Sequence, residues 1–577
     1  MRPSLLRIIA SVALAASAVV PAVAADVPVR LIGFNDFHGN INAPGNFSGN
    51  PAGGIDYLGA YVANLRATAP VPANTLVLHA GDMVGASPLV SALWHDEPTI
   101  EAMNKIGVDI ASVGNHEFDE GRAEFLRLQS GGCHPTDANS CAGPDGTFTG
   151  AKFQFLAANV VDQATGKPLF PRYVVRTFGG VRMAFIGMTL EGTPNIVTPS
   201  GVAGLAFNDE AQTVNALIRT LKNQGVNAIA VVVHEGGNGV ASISGCAGTG
   251  DIVPIVAALD NAVDLVISGH THQAYLCSLP NSAGRNIPVT SASAFGRVLT
   301  RIDLVLDTVT RDVKSVTTEQ VVVNRNNANI TDDPALTPVR LALGNLATHY
   351  NNKVAPTAGR VIGKVAADVT VTVNAAGESL VGDLIADAQL AATAADGFGN
   401  AVIAFMNPGG IRGTTGFAFN ESGAEGNGNV TYQEAFNVQP FGNSLVTMTL
   451  TGAQIETLLE QQFVGCPNGQ TFNRVMQVSA GFSYTWDNSR PACDKVDPAT
   501  IRLNGNPIDP AAAYRVTVNS FLATGGDLFL VLNDGTNRLG GAIDLDALEN
   551  HFKPSLQPAP NGTPYVAPLR NRIQRLN

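Results

Sequence analysis

Charge is scarce in this chain of 577 residues: Asp, Glu, Lys and Arg make up 14% of it, against 45% for apolar side chains. That balance argues against a charged, disordered polypeptide and fits compact globular structure. Basic residues are the scarcer sign, 35 Lys and Arg against 47 Asp and Glu, for a formal net charge of −12. A broad electrostatic grip on a nucleic acid polymer is therefore not expected. A small anionic substrate would need a local cluster of metal or arginine to overcome the overall field. No low-complexity tract or internal repeat is present. The six cysteines include no C-x-x-C pair, which removes the usual spacing of a zinc cluster. Beyond the N-terminal residues no apolar run approaches the length of a membrane span. What remains is a length greater than one hydrophobic core usually supports, so two domains are expected.

The first residues, "MRPSLLRIIASVALAASAVVPAVAADVPV", carry Arg2 and Arg7, an apolar run, and small residues around Ala22, Ala24 and Ala25. This is the pattern of a cleaved secretory signal over residues 1–25; Pro21 and the small residues after it disfavour a retained anchor. The mature chain would be periplasmic or secreted, with a formal charge of −14 once Arg2 and Arg7 are gone. In an exported chain six cysteines are expected to form disulfides. Fifteen pairings are possible, and local closure favours Cys133–Cys141, Cys246–Cys277 and Cys466–Cys493.

One arrangement recurs along the first half: an apolar, β-branched run, then a metal-ligand residue where the run stops. "VRLIGFNDFHGN" delivers Asp36 and His38, "TLVLHAGD" Asp82, and "DIASVGNHEFD" Asn115; "NAIAVVVHEGG" delivers His234, and "VDLVISGHTHQ" His270 and His272. Such runs read as buried strands, and segments with helical spacing, such as "NDEAQTVNALIRTLKNQG", lie between several of them. The alternation implies an α/β layered domain with its active loops at the carboxyl ends of the strands. Asp36 and His38 stand two apart, as do His270 and His272, so in extended backbone each pair projects to one side. Carboxylate and amide oxygens mixed with imidazole suit Zn, Mn, Fe or Co better than Ca or Mg. Seven such side chains are too many for one four-coordinate ion. They fit two divalent ions sharing a carboxylate, a usual device for hydrolysing phosphate esters.

The ordered set D-F-H, G-D, G-N-H-E, H-E-G and G-H-T-H resembles the calcineurin-like metallophosphoesterases. Together with C-terminal motifs, it is most similar to the exported bacterial 5′-nucleotidases and their UDP-sugar hydrolase and cyclic-phosphodiesterase relatives. The resemblance covers nearly the whole mature chain. It implies a four-layer α/β-β-α sandwich over residues 26–330, a linker helix over 331–356, and a smaller α/β substrate-binding domain over 357–577. It further implies one ion on Asp36, His38 and His272, a second on Asn115, His234 and His270, and Asp82 bridging them. His116 would be the catalytic histidine and Asp119 its carboxylate partner, orienting the ring and raising its pKa. Hydroxide held by the ions would attack phosphorus in line with the departing alkoxide. Glu117 and Glu120 are read as structural, favouring the start of the next helix. His79, His95, His134, His349 and His551 fall outside the pattern and receive no role.

In the second half, "AVIAFMNPGGIRG" reads as a strand, a tight glycine turn and an arginine, a combination able to bind an anion. By the resemblance Asn407, Gly409, Gly410 and Arg412 form the substrate-binding turn. Phe441, in "VQPFGNS", and Phe521, in "NSFLATGGDLF", match the base-stacking pair, and Asp527 matches the ribose-binding carboxylate. Two rings can sandwich a flat base with little regard to its identity. The resemblance also implies a hinge at "DDPALTPVRLALGNLATHYNNKVAP". Asp383 stands in "GDLIADA" where relatives carry Asn or Arg, so fewer phosphate contacts are expected from that segment. The expected activity is release of phosphate from nucleoside 5′-phosphates. Action on 2′,3′-cyclic nucleotides or UDP-sugars, or a surface binding protein without turnover, are the alternatives. Oligomeric state is not readable.

Overall fold

A computed structural model describes residues 26–197, 199–413, 417–557 and 562–577. The expected signal segment, residues 1–25, lies outside the described residues. The main strands of the first half are β1 (Asp26–Phe34), β2 (Thr75–Ala80), β3 (Ile110–Ser112), β4 (Gln154–Leu156), β5 (Tyr173–Phe178) and β6 (Val181–Thr189). They continue as β7 (Ala228–His234), β8 (Leu265–Ile267), β9 (Ala274–Pro280), β10 (Asn286–Ala292), β11 (Val298–Asp307) and β12 (Asp312–Val322). They form two six-stranded sheets, ordered β12-β11-β1-β2-β3-β4 and β9-β10-β8-β7-β6-β5. Strands β1, β2, β3 and β4 run parallel, as do β6, β7, β8 and β10.

The period-two alternation of these strands builds the layers. In β1 Leu31 faces a core shared with Ala230, Val232 and Ile267 of the other sheet. Its neighbour Ile32 faces the helices, in a core with Tyr57, Leu58, Ile100 and Met103. In β7 Ile229, Val231 and Val233 turn outward, against Val214, Leu217 and Leu221 of the helix Glu210–Asn223. The result is helix, sheet, sheet, helix. Both faces of the central strands are covered, so β2 and β7 are buried along their whole lengths.

The helix Thr337–Ala358, in the segment read as a connector, buries Leu343, Leu346, Tyr350, Val354 and Ala358 in that first outer core. The second half carries a five-stranded sheet in which β13 (Ile403–Met406), β14 (Ser444–Thr451), β15 (Gln477–Val478), β16 (Ala513–Asn519) and β17 (Thr536–Ile543) follow the order β15-β13-β16-β14-β17. The helix Leu380–Thr393 covers one face, with Leu384, Ile385 and Ala388 against Met406. Its start is capped by Ser379, whose side chain accepts from the Gly382 amide.

The disulfides are Cys133–Cys141, Cys246–Cys277 and Cys466–Cys493, the pairs that local closure favours. They span 8, 31 and 27 residues, so each closes a loop inside one half of the molecule. Among the described residues no helix is long and apolar enough to cross a membrane.

A candidate dimetal centre facing a nucleoside-sized cavity

Because β1, β2 and β3 are parallel, their carboxyl ends emerge on one edge, and those of β7 and β8 emerge beside them from the facing sheet. The loops are then laced together by backbone hydrogen bonds. Asp36 N–H donates to Gly81 O at 3.0 Å, and His38 N–H to Asp82 O at 3.0 Å. His270 N–H donates to the Asp36 carboxylate, joining the two sheets. Asp36, His38, Asp82, His270 and His272 all have positive φ, between 46° and 71°. A non-glycine residue in that region costs about 1–3 kcal/mol and persists where its surroundings over-determine it. The glycines that accompany them are demanded by crowding: a Cβ on Gly81 would collide with the His234 ring, and one on Gly114 with the Asp82 carboxylate.

The side chains converge as two triads, Asp36–His38–His272 and Asp82–His234–His270, each with ligating atoms within 4.8 Å of one another. The Asp82 Oδ2 atom stands 2.9 Å from His234 Nε2 and 3.6 Å from His38 Nε2, between the two groups. Asn115 lies at the same place, with its buried Oδ1 free of hydrogen bonds. His38 Nδ1 lies 2.8 Å from Gly85 O, and His234 Nδ1 lies 2.8 Å from Ala80 O. A carbonyl can only accept, so each ring keeps its proton on Nδ1 and turns the Nε2 lone pair into the centre. His38 Nε2 and His272 Nε2 face each other at 3.1 Å. The His234 Nε2 approach to Asp82, though short, lacks hydrogen-bond alignment, so both atoms aim at a shared point. Converging lone pairs, an orphaned amide oxygen and buried carboxylates fit divalent cations.

Electrostatics agree with that fit. Burial lowers His38 and His270 to about 3, which leaves their rings neutral and able to donate a lone pair. Burial opposes the charge on Asp82, but His234, His116 and His38 outweigh it and keep the carboxyl ionised. Burial likewise disfavours a charged His234, yet the Asp82 carboxylate holds it up to about 10. A cation between them would take the place of that proton.

His116 stands at the rim. Its Nδ1 is 2.8 Å from Asp119 Oδ2. Burial disfavours the imidazolium, but Asp119 and then Asp82 overcome it and raise the pKa above the ordinary value. From the second half, Arg412 crosses the cleft to bring Nη2 within 3.3 Å of His116 Nε2. Burial lowers its pKa while Asp119 and Asp82 oppose. The guanidinium also lies 5.1 Å from the Phe441 ring, which stacks on His116 with centroids 5.9 Å apart.

The other residues expected to read substrate lie on the same cavity, of about 690 Å³. It is lined by Asp82, Asn115, His116, Asp119, His270 and His272 from the first half, and by Asn407, Gly409, Gly410, Arg412, Phe441, Phe521 and Asp527 from the second. Of the residues expected to ligate metal, act in catalysis or bind substrate, only Asp36, His38 and His234 are absent from that lining. Asn407 Nδ2 donates to Asp527 Oδ2 at 2.7 Å and Asn519 Nδ2 to Asn407 Oδ1 at 3.0 Å, fixing the carboxylate.

Other residues went unrecognised in the sequence. Glu117 does not serve the next helix: its buried carboxylate accepts from the amides of Asp82 (3.0 Å) and Met83 (2.7 Å), clamping the Asp82 loop. Asn35 bonds Ser293 O at 2.7 Å while its Oδ1 accepts from Ala292 N at 2.7 Å, tethering Asp36 to the facing sheet. Arg474, stacked 3.8 Å from the Phe472 ring and 3.7 Å from Asp527, brings a cation into the substrate cavity. The juxtaposition of three carboxylates with strand-end polar residues in "VGNHEFDEG" was the only signal for Glu117. Arg474 lies in a loop with no periodicity to mark it.

Comparison with known proteins agrees with this geometry. Residues 29–274 match the model of the calcineurin-like phosphoesterase family, and residues 361–534 that of the 5′-nucleotidase C-terminal domain. The chain is 32% identical to the endonuclease YhcR of Bacillus subtilis over 91% of its own length and 40% of that protein. It is also 32% identical to the cell wall protein Lmo0130 of Listeria monocytogenes, over 91% of its own length and 66% of that protein. It thus spans two thirds or less of these two relatives. The crystal structure of a 5′-nucleotidase precursor from Thermus thermophilus superimposes with a TM-score of 0.72 and 26% identity, covering 95% of this chain and 99% of that one. With both domains matched in order, the chain belongs to the calcineurin-like phosphoesterases that carry a 5′-nucleotidase C-terminal domain, a family of divalent-metal-dependent enzymes.

Proposed function

We propose that the protein releases phosphate from nucleoside 5′-phosphates. The observation that carries this reading is the single cavity on which the candidate metal triads and the pair Phe441 and Phe521 both open. Asp36, His38 and His272 would hold one divalent ion, Asn115, His234 and His270 the other, with Asp82 between. Their oxygen and imidazole donors favour Zn, Mn, Fe or Co. Such ions supply an activated water and positive charge against the phosphate oxygens.

The chain's own groups do the rest. Arg412 and His116 converge on the place of the phosphate, where two cationic donors stabilise charge that builds up on its oxygens. His116, oriented by Asp119, gives a proton to the departing 5′-oxygen. Phe441 and Phe521 take the base between them, and Asp527, held by Asn407, accepts from the ribose hydroxyls. Residues 26–330 form the metal-bearing domain, 331–356 the connector and 357–577 the substrate domain. Export to the periplasm or outside is supported by the N-terminal pattern and by three disulfides.

The test is phosphate release from AMP, UMP, ATP, UDP-glucose and 2′,3′-cyclic AMP, with and without chelator. AMP and UMP are expected to lead, and chelation to abolish release. A lead for UDP-glucose or the cyclic nucleotide moves the assignment to those reactions. Absence of turnover on every substrate with Mn²⁺, Zn²⁺ and Co²⁺ makes the protein a binding module.

A further inference from the structure

A second cavity, of about 530 Å³, opens on the opposite side of His272 and Arg412, the two residues it shares with the nucleoside cavity. It also reaches His38 of the first metal triad. Its volume falls within the ~300–1,000 Å³ typical of small-molecule sites. A phosphorus atom held between the two cavities therefore has two exits. A phosphate monoester fills one of them; its remaining oxygens belong to the metal ligands, His116 and Arg412. The proposed monoesterase reaction leaves the second cavity without a task.

The chemistry of its walls is selective. In a chain of net charge −12, no Asp or Glu among the described residues lines this space. Besides Arg412, the cation there is Arg297. Its guanidinium lies over the rings of Phe295, at 5.0 Å, and Phe47, at 5.2 Å. Its Nε donates to Ala294 O at 3.1 Å, and its Nη atoms have no hydrogen-bond partner or ion pair among the described residues. Burial alone lowers its pKa, with no carboxylate acting on it. A half-buried arginine with both outward donors unused is prepared for a bidentate anion. Gln433 and Asn437, which line the same cavity from the second half, have side-chain amides with no hydrogen bond among the described residues. These amides suit sugar hydroxyls or a base edge.

From these two cavities and the unpaired Arg297 we infer that the protein has a second subsite, which accepts the other arm of a phosphodiester when that arm ends in a further phosphate. A 5′-phosphorylated dinucleotide such as pApA has that form. Its 5′-linked adenosine occupies the Phe441 and Phe521 cavity, the bridging phosphate lies at the centre, and the 3′-linked nucleotide extends past His272 with its terminal phosphate on Arg297. The bond broken is the same P–O5′ bond as in AMP. The oxygen of one water bonds to phosphorus, the 5′-oxygen leaves with a proton from His116, and the proton released by the water restores the histidine. The products are adenosine and adenosine 3′,5′-bisphosphate.

This inference rests on the proposed reading of the metal centre, and the test separates the two. The full chain with Mn²⁺ is assayed on AMP, ApA and pApA, with products resolved by chromatography. Cleavage of pApA to adenosine and the bisphosphate is expected, with kcat/KM about tenfold above that for ApA, the usual scale of a charge-assisted contact. Arg297→Gln should erase that advantage and leave AMP turnover within about twofold. Asn437→Trp, at an exposed position on the rim, should block pApA by filling the cavity and likewise spare AMP; it serves if Arg297→Gln fails to fold. Hydrolysis of AMP without cleavage of pApA overturns the subsite and leaves the monoesterase standing. So do variants that depress AMP and pApA equally. Cleavage of pApA in an Arg297-dependent way without AMP hydrolysis keeps the subsite and overturns the monoesterase; failure on all three substrates overturns both.

Discussion

The two sides of the cleft are built on different terms. On the metal side Asp36, His38, Asp82, Asn115 and His234 are at most 2% exposed, and three of them sit on left-handed backbone. On the proposed substrate side Phe441 and Phe521 are half-buried, and the Asp527 carboxylate is positioned through a relay of two asparagines, Asn407 just after β13 and Asn519 at the end of the neighbouring β16. Ion chemistry tolerates little displacement, and the strained backbone at Asp36, His38 and Asp82 is the kind that would fix the proposed ligands. Base recognition by stacking tolerates more, so the proposed clamp of Phe441 and Phe521 would need only shape.

That contrast can be broken at its strongest point first. Asp82→Asn removes the charge between the two triads and is expected to abolish metal binding and nearly all turnover. Metal analysis of the purified variant decides it: full metal content with normal rate would remove Asp82 from the centre. His116→Asn should retain metal while turnover falls by about 10²–10⁴-fold, the range for a general acid–base group; unchanged kcat would assign the proton to another group. Phe441→Ala combined with Phe521→Ala should raise KM for AMP by about ten- to a hundredfold, from stacking contributions of ~1–3 kcal/mol per base. The same variant should leave p-nitrophenyl phosphate, which needs no base clamp, nearly unaffected. Equal losses on both substrates would make these rings core.

The smallest expected effect concerns stability in the second domain. Asp383 is buried with both carboxyl oxygens free of hydrogen bonds, near Arg572 at 3.9 Å and facing Glu378, Asp387 and Tyr565. Burial raises its pKa from 3.8 to about 8, against the pull of Arg572. The folded state therefore prefers the protonated form more than the unfolded chain does. This stabilisation is complete below about pH 4 and is lost as pH rises through 8. Asp383→Asn, which cannot ionise, should flatten the decline of Tm between pH 5 and pH 8. A decline of equal slope in the variant would place the titration elsewhere.

Much of the candidate metal side was legible because every proposed ligand comes at or just after the end of a strand in the chain: "TLVLHAGD" announces both β2 and Asp82. The layer structure was legible for the same reason, since runs such as "AIAVVVH" can be nothing but two-sided strands once turns bracket them. The substrate side was readable only by resemblance. Phe441 and Phe521 are far apart in the chain, although they flank the paired strands β14 and β16, and a lone phenylalanine in sequence looks like core. Arg474 and Arg297 escaped altogether, because what distinguishes them, an Asp527 carboxylate beside the one and a missing counter-charge at the other, is a property of neighbours brought together by folding. Glu117 was assigned to the wrong element: a carboxylate ahead of a helix ordinarily answers the helix dipole, but here four loop amides reach it first.

The cystine pattern has a mechanical corollary. Each bridge staples a short stretch of its own half, and none crosses from one half to the other. The covalent framework thus stiffens two separate bodies while leaving the polypeptide near Gly359 as their tether. Such a molecule can be oxidised to completion in each part with no disulfide locking the parts to one another.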